Sequence, residues 1–122
     1  AFYLTSMKES DILCISCYLT EETEGLISGG VLDGFKDGLI VVNTSRGEVV
    51  NESYIYDLVT NDKIFYSCDV LCNEQNIDKL RQSPLFNLKR DNIVITPHVA
   101  GATIESQTKA LTGILELCIK LQ

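Results

Sequence analysis

Arg46, Asp69, Glu74 and His98 are the side chains in this sequence whose types and spacing could carry proton-coupled chemistry on a small anion. Arg46 lies in the small-residue run Asn43-Thr44-Ser45-Arg46-Gly47, directly after the aliphatic stretch from Leu39 to Val42. A guanidinium is a permanent cation whose planar fork matches a carboxylate bidentately. The end of a buried strand is an unusual place to put one without a use for it. His98 is the only histidine, and Pro97 before it restricts the backbone and helps to stop a strand. A carboxylate beside an imidazole sets its tautomer and favours its protonated form, and Asp69 and Glu74 are the candidate carboxylates, at and just after the end of the apolar run from Ile64. Plainer readings compete with each assignment. Arg46 can bridge to Glu48 or Glu52, Asp69 can end a strand, Glu74 can be a solvated loop acid, and His98 can be an ordinary hydrogen-bonded histidine.

These groups need a scaffold, and the hydrophobic pattern supplies one. Asp11 to Cys17 reads as a short buried strand, Leu39 to Asn43 as a second, Ile64 to Val70 as a third and Asn92 to Thr96 as a fourth. Thr20 or Thr23 can cap a weak helical turn through GLISGGVLDGF, where glycines oppose a stable helix. Asn51 reads as the N-cap of a helix whose apolar residues Tyr54, Ile55, Leu58 and Val59 share one face, with Asn61-Asp62 ending it. A short helical turn is expected near Ile77 to Arg81, and an amphipathic helix runs from Gly101-Ala102-Thr103 towards the end of the chain. Near-continuous apolar strands separated by crossovers predict an α/β fold with a parallel sheet covered on both faces. In such sheets ligands sit outside the carboxyl ends of the strands. The polar clusters CYLTEET, NTSRG, DVLCNE and TPHVAG all fall there.

The bulk numbers exclude several classes of function. The chain has 122 residues, 45% of them hydrophobic, which suits one small domain with a core. A net charge of -7 with no basic run argues against nucleic acid and against anionic membrane surfaces. The apolar stretches are far shorter than the roughly 18 residues needed to cross a bilayer, and a cytoplasmic protein is expected. Five cysteines, at positions 14, 17, 68, 72 and 118, invite a metal or redox reading. Cys14 and Cys17 are three apart on an expected strand, on opposite faces and roughly 10 Å apart, beyond disulfide reach. Buried, reduced, structural thiols and no metal site are therefore expected.

The blocks NTSRGEVVN, CDVLCNE and SPLFNLKRDNIVITPHVAGAT, in this order and at these intervals, resemble the second half of the nucleotide-binding domain of the NAD-dependent D-2-hydroxyacid dehydrogenases. That family includes phosphoglycerate, glycerate, D-lactate and formate dehydrogenases, and the likeness extends from about Ser10 to the C-terminus. It implies that Arg46 grips the substrate carboxylate and polarises the 2-oxo group, and that Glu74 holds the imidazole of His98. His98 then gives a proton to the carbonyl oxygen as hydride arrives from NADH, and takes it back in the oxidation. For the cofactor it implies contacts from Cys17, Thr23, Thr44, Ser45 and Arg46, from Asp69, and from the His98-Val99-Ala100-Gly101 turn. The cofactor implied is NAD, with NADP left open. Two departures stand out: Glu74-Gln75 where the family usually has Glu-Pro, and Tyr18 where proline is common.

A G-x-G-x-x-G turn with an acidic residue beyond it is not found, since Gly29-Gly30 and Gly34 do not follow a strand. Residues 1–122 are therefore expected to form a single partial NAD-binding domain, a partial Rossmann-like sheet with flanking helices. Its glycine-rich first half and substrate-binding domain would be absent, and the isolated chain inactive. An open sheet edge is expected to be covered by a second copy, as in a homodimer, by another partner or by a rearranged segment. The reading from sequence is thus a portion of an oxidoreductase acting on a 2-hydroxy or 2-oxo acid. Its rival is a non-catalytic dinucleotide-fold binding or oligomerisation module of the corepressor kind.

Overall fold

The computed structural model describes residues 8–120 and, within them, every side chain except those at 115, 117, 118 and 120, so the Cys118 thiol lies outside the described residues. Four parallel strands, β1 (Ile12–Ile15), β2 (Leu39–Asn43), β3 (Ile64–Cys68) and β4 (Ile93–Ile95), lie side by side in chain order. A 3-10 turn (Gly47–Val49) and helix α1 (Glu52–Thr60) join β2 to β3, a short helix α2 (Ile77–Leu80) lies between β3 and β4, and α3 (Ile104–Lys120) follows β4. The strands are slightly shorter than the apolar runs that encode them. The expected parallel α/β sheet with helices is otherwise present.

Parallel register sorts the strand residues into rows. Leu13, Val41, Tyr66 and Ile93 form one row, and Ile15, Asn43, Cys68 and Ile95 another. Both rows face the core, where Ile55 and Val59 of α1, Val49 and Leu85 are completely buried. The alternate rows, Ile12-Ile40-Phe65 and Cys14-Val42-Ser67-Val94, face the other way. Ile12, Phe65 and Val94 are each more than half exposed. Among the described residues the sheet is thus covered on one face only, which corrects the two-sided covering expected from its apolar strands. The reason is topological. The three connections all step in the same direction, and parallel crossovers share one hand as a rule, so the connections fall on the same side, where Leu32, Ile55 and Leu85 join one core. Helix α3 packs no described large apolar side chain: Ile104, Leu111, Ile114 and Ile119 are all exposed.

Local chemistry explains the element boundaries. The Asn51 side chain accepts the Tyr54 amide at 3.0 Å and caps α1 as expected. Asp62, at φ 55°, terminates the turn after it. Gly38, at φ 84°, takes the left-handed conformation that starts β2, and its amide reaches the Lys63 carbonyl at 2.8 Å. The helical turn expected around residues 25–35 does not form. Gly25, Gly30 and Gly34 all take positive φ, which a right-handed helix cannot contain, and Ile27 instead makes an isolated bridge to Val50. The cysteine expectation also needs correction: Cys14 is exposed on the uncovered face and Cys17 is only half-buried, beyond the end of β1. Cys68 is buried, and the described cysteines are all unpaired.

One-sided packing makes a contrast measurable by urea denaturation of this chain. Ile55→Ala, which empties a fully buried site, is expected to cost about 2–5 kcal/mol. Phe65→Ala, on the open face, is expected to cost less than about 1 kcal/mol. Equal costs would mean that the open face is covered in solution.

Candidate active site at the carboxyl ends of the strands

The exits of β1 and β2 are tied together by Ser45, whose hydroxyl donates to the Cys17 main-chain carbonyl. Between them lies a cavity of about 410 Å³ lined by residues 16–19 and 44–46. Cys17, Thr44, Ser45 and Arg46 therefore line one cavity. Arg46 is exposed, and Nη1 donates to the Ser45 carbonyl at 2.7 Å. Among the described residues it forms no ion pair, so the plain reading in which it bridges to Glu48 or Glu52 is not what the structure holds. Thr23 does not line this cavity. Its hydroxyl donates to the Tyr18 carbonyl at 2.6 Å and accepts the Thr20 amide at 2.8 Å, closing the turn after β1.

The exits of β3 and β4 are joined by Asp69. Its carboxylate accepts the Thr96 hydroxyl, the Val99 amide at 2.9 Å and the Ala100 amide at 2.8 Å. Burial alone would push this carboxyl up, but the bonds from Thr96, Ala100 and Val99, with His98 nearby, hold it below the usual carboxylate value. Through these bonds Asp69 fixes the residues on either side of His98, which itself adopts φ 54°, a left-handed conformation unfavourable for a residue with a side chain. The turn aims the imidazole at the preceding loop, where Nδ1 lies 2.6 Å from Glu74 Oε1. Val99, Ala100 and Gly101 are exposed at the rim. The Val99 and Ala100 amides, however, point inward to Asp69.

Glu74 is held in place from the Arg46 side. The Cys72 amide donates to Glu52 at 2.8 Å and the Asn73 amide to Glu48 at 3.0 Å. A Cβ on Gly47 would overlap the Leu71 carbonyl and the Cys72 amide nitrogen, so only glycine lets these two loops meet. The sequence reading missed Gly47, Glu48, Glu52 and Thr96 as supports of the site. Gly47 and Glu48 stand in the NTSRGE run, but nothing local shows that their partners lie some 25 residues away. Burial pushes the Cys68 thiol up to about 11. Burial, with the charges of Glu52 and Glu48, pushes Cys72 up to about 12. Both stay protonated near neutral pH, unsuited to nucleophilic or redox work.

The His98–Glu74 pair borders a second cavity, of about 440 Å³, walled by Leu71, Leu80, Phe86, Ile95 and Pro97. Arg46 lines the first cavity and not this one. Its strand is separated from the His98 strand by β3, roughly 10 Å at the usual strand spacing. A molecule touching both must lie across the β3 exit, where Asp69 stands. Among the described residues no group of His, Cys, Asp and Glu is arranged to hold a metal ion.

The Asp69 network generates a pH test with a definite sign. A carboxylate whose folded value is depressed stabilises the fold fully above its unfolded value, and loses that contribution as pH falls through the folded value. The stability difference between the parent and Asp69→Asn is expected to be constant from about pH 7 to pH 5. It should shrink as pH falls below the usual 3.8. A difference that does not change with pH would show that the charge on Asp69 is not what holds the turn.

Comparison with known proteins agrees with this geometry. Residues 4–100 match the family described as "D-isomer specific 2-hydroxyacid dehydrogenase, NAD binding domain". A hydroxypyruvate reductase of Thermotoga maritima is 34% identical over 95% of this chain, and a D-3-phosphoglycerate dehydrogenase of Archaeoglobus fulgidus is 38% identical over 84%. The chain spans 37% of the first relative's length and 19% of the second's. The NAD-complexed D-isomer specific 2-hydroxyacid dehydrogenase of Lactobacillus delbrueckii ssp. bulgaricus superposes with a TM-score of 0.75 at 25% identity, covering 97% of this chain and 40% of that one. The parallel sheet, the strand-end cavities and these matches together place the chain in the D-isomer specific 2-hydroxyacid dehydrogenase family, within its NAD-binding domain.

Proposed function

We propose that the complete polypeptide containing this chain interconverts a D-2-hydroxy acid and the corresponding 2-oxo acid. The observation that carries this reading is the 2.6 Å contact between His98 Nδ1 and Glu74 Oε1, on the same edge of the sheet as an arginine with no acidic partner among the described residues. Arg46 binds the substrate carboxylate and draws electron density from the adjacent carbonyl. Glu74 orients the His98 ring through Nδ1, which leaves Nε2 to exchange a proton with the substrate oxygen. NAD is the cofactor in this reading, and when bound it supplies or accepts the hydride.

The fit to NAD rests on the first cavity. Beside the larger Tyr18 and Leu19, its walls are the small residues Ser16, Cys17, Thr44 and Ser45 and one guanidinium, which suit close approach to an anionic dinucleotide. Cys17, Thr44, Ser45 and Arg46 hold it there. His98, Val99, Ala100 and Gly101 at the rim of the β4 exit, with Asp69 beneath, would complete the cofactor contacts. Thr23 acts through the turn it closes. No helix among the described residues is long and apolar enough to cross a membrane. A cytoplasmic setting belongs to the same reading, supported by the unpaired thiols.

A second reading, a non-catalytic module that uses this fold to bind a partner or a second copy, is favoured by the exposed Ile12, Ile40, Phe65 and Val94 on one face. Turnover decides between the two. In the complete polypeptide, Arg46→Ala and His98→Asn are each expected to lower kcat/KM for 2-oxo acid reduction by about 10²–10⁴-fold. NADH affinity should fall by much less, within about tenfold of the parent, because other residues of the first cavity share the cofactor contact. Undiminished turnover in either variant, or a parent that reduces no 2-oxo acid across a panel, would overturn the dehydrogenase reading.

A further inference from the structure

Asn43, the last residue of β2, is fully buried and bonds through both ends of its carboxamide. Oδ1 accepts the Ser45 amide at 3.0 Å, and Nδ2 donates to the Arg46 carbonyl at 2.9 Å. Its main-chain carbonyl accepts the Asp69 amide at 3.0 Å. The orientation of the side-chain amide is dictated by these partners, because only an oxygen can face the Ser45 N–H and only an NH₂ can face the Arg46 carbonyl. No other side chain of this length offers an acceptor and a donor so placed. Aspartate has the shape but would set a second acceptor against the Arg46 carbonyl, and serine is too short to reach both.

The Thr44-Ser45-Arg46 turn is therefore wrapped around one carboxamide. The same residue is bonded to Asp69, whose carboxylate fixes the turn carrying His98. We infer that Asn43 is the positioning residue of this site, holding the Arg46 backbone in register with the Asp69–His98 strand end so that guanidinium and imidazole face one substrate. Asn43 is not a catalytic residue, since it is buried beneath the turn and presents nothing to either cavity. Its consequence for turnover rests on the dehydrogenase reading above. Its effect on the turn does not.

Asn43→Asp in the complete polypeptide tests the inference, because it keeps the acceptor for Ser45 and replaces the donor to Arg46 with a second acceptor. The expected result is a loss of about 100-fold in kcat/KM for the 2-oxo acid, with a fall in NADH affinity of less than about tenfold, since the same turn lines the first cavity. A merely structural role would weaken both equally or lower only the melting temperature. Introduced into Arg46→Ala, the same substitution is expected to add less than about threefold, because its effect is exerted through Arg46. Asn43→Ser provides the same comparison if the buried carboxylate prevents folding. Turnover within about threefold of the parent, or losses that multiply in the double variant, would overturn the inference. Should the parent prove inactive, the dehydrogenase reading fails by itself, and amide exchange at Ser45, Arg46 and Gly47 then decides. Exchange at least about tenfold faster in Asn43→Asp supports the role, and unchanged exchange overturns it.

Discussion

Asp69 gives both of its carboxylate oxygens to the segment that follows β4, and the arrangement of the other candidate groups follows from that contact. Two main-chain amides and a hydroxyl are more donors than a solvated surface aspartate would find together. They tie the β3 exit to the β4 exit at the edge where parallel strands leave their backbone groups unpaired. Because the amides belong to the two residues after His98, the bond also sets the direction of the imidazole. The left-handed backbone at His98 costs on the order of 1 kcal/mol, and the Asp69 bonds offset it locally. Strain of this kind persists where the surroundings over-determine a conformation, and here they do so beside the contact with Glu74.

The segment from Asn43 to Glu52 serves the other half of the site. It carries Arg46 outward, while Gly47, Glu48 and Glu52 face the loop after β3 and hold Leu71, Cys72 and Asn73. Glu74 follows directly, so the acid that contacts His98 is placed by residues flanking the arginine. The three polar groups are thus coupled through main-chain hydrogen bonds even though they line two cavities. The scaffold needs only one packed face to achieve this. The bare face and the unpacked α3 play no part in the geometry of the strand exits, which explains why a four-stranded portion of a larger family fold retains them.

Much of this was legible in the sequence because it depends on short-range pattern. The strands appear as aliphatic runs, Asn51 as a cap, and the strand-end blocks as family motifs. What was not legible depends on register and on partners distant in the chain. Apolar strands looked buried on both faces because a strand's sequence does not say on which side its crossovers fall. Cys14 looked structural for the same reason. The turns after β1 suggested a helix until the backbone showed glycines with positive φ. Glu48, Glu52 and Thr96 read as ordinary polar residues, since their importance lies in single bonds to amides and a carboxylate far along the chain. Asp69 was singled out for a place near the cofactor, whereas its direct bonds here are to the protein.

In the proposed reaction Arg46 and His98, leaving different strands and lining different cavities, address one small molecule across the β3 exit. A crystal structure of the complete polypeptide with NAD and oxamate, a 2-oxo acid mimic, tests it most directly. The oxamate carboxylate is expected on the Arg46 guanidinium and its carbonyl oxygen within hydrogen-bond reach of His98 Nε2, with Glu74 still on Nδ1. Oxamate held away from either side chain, or an imidazole turned from Glu74 in the complex, would contradict it.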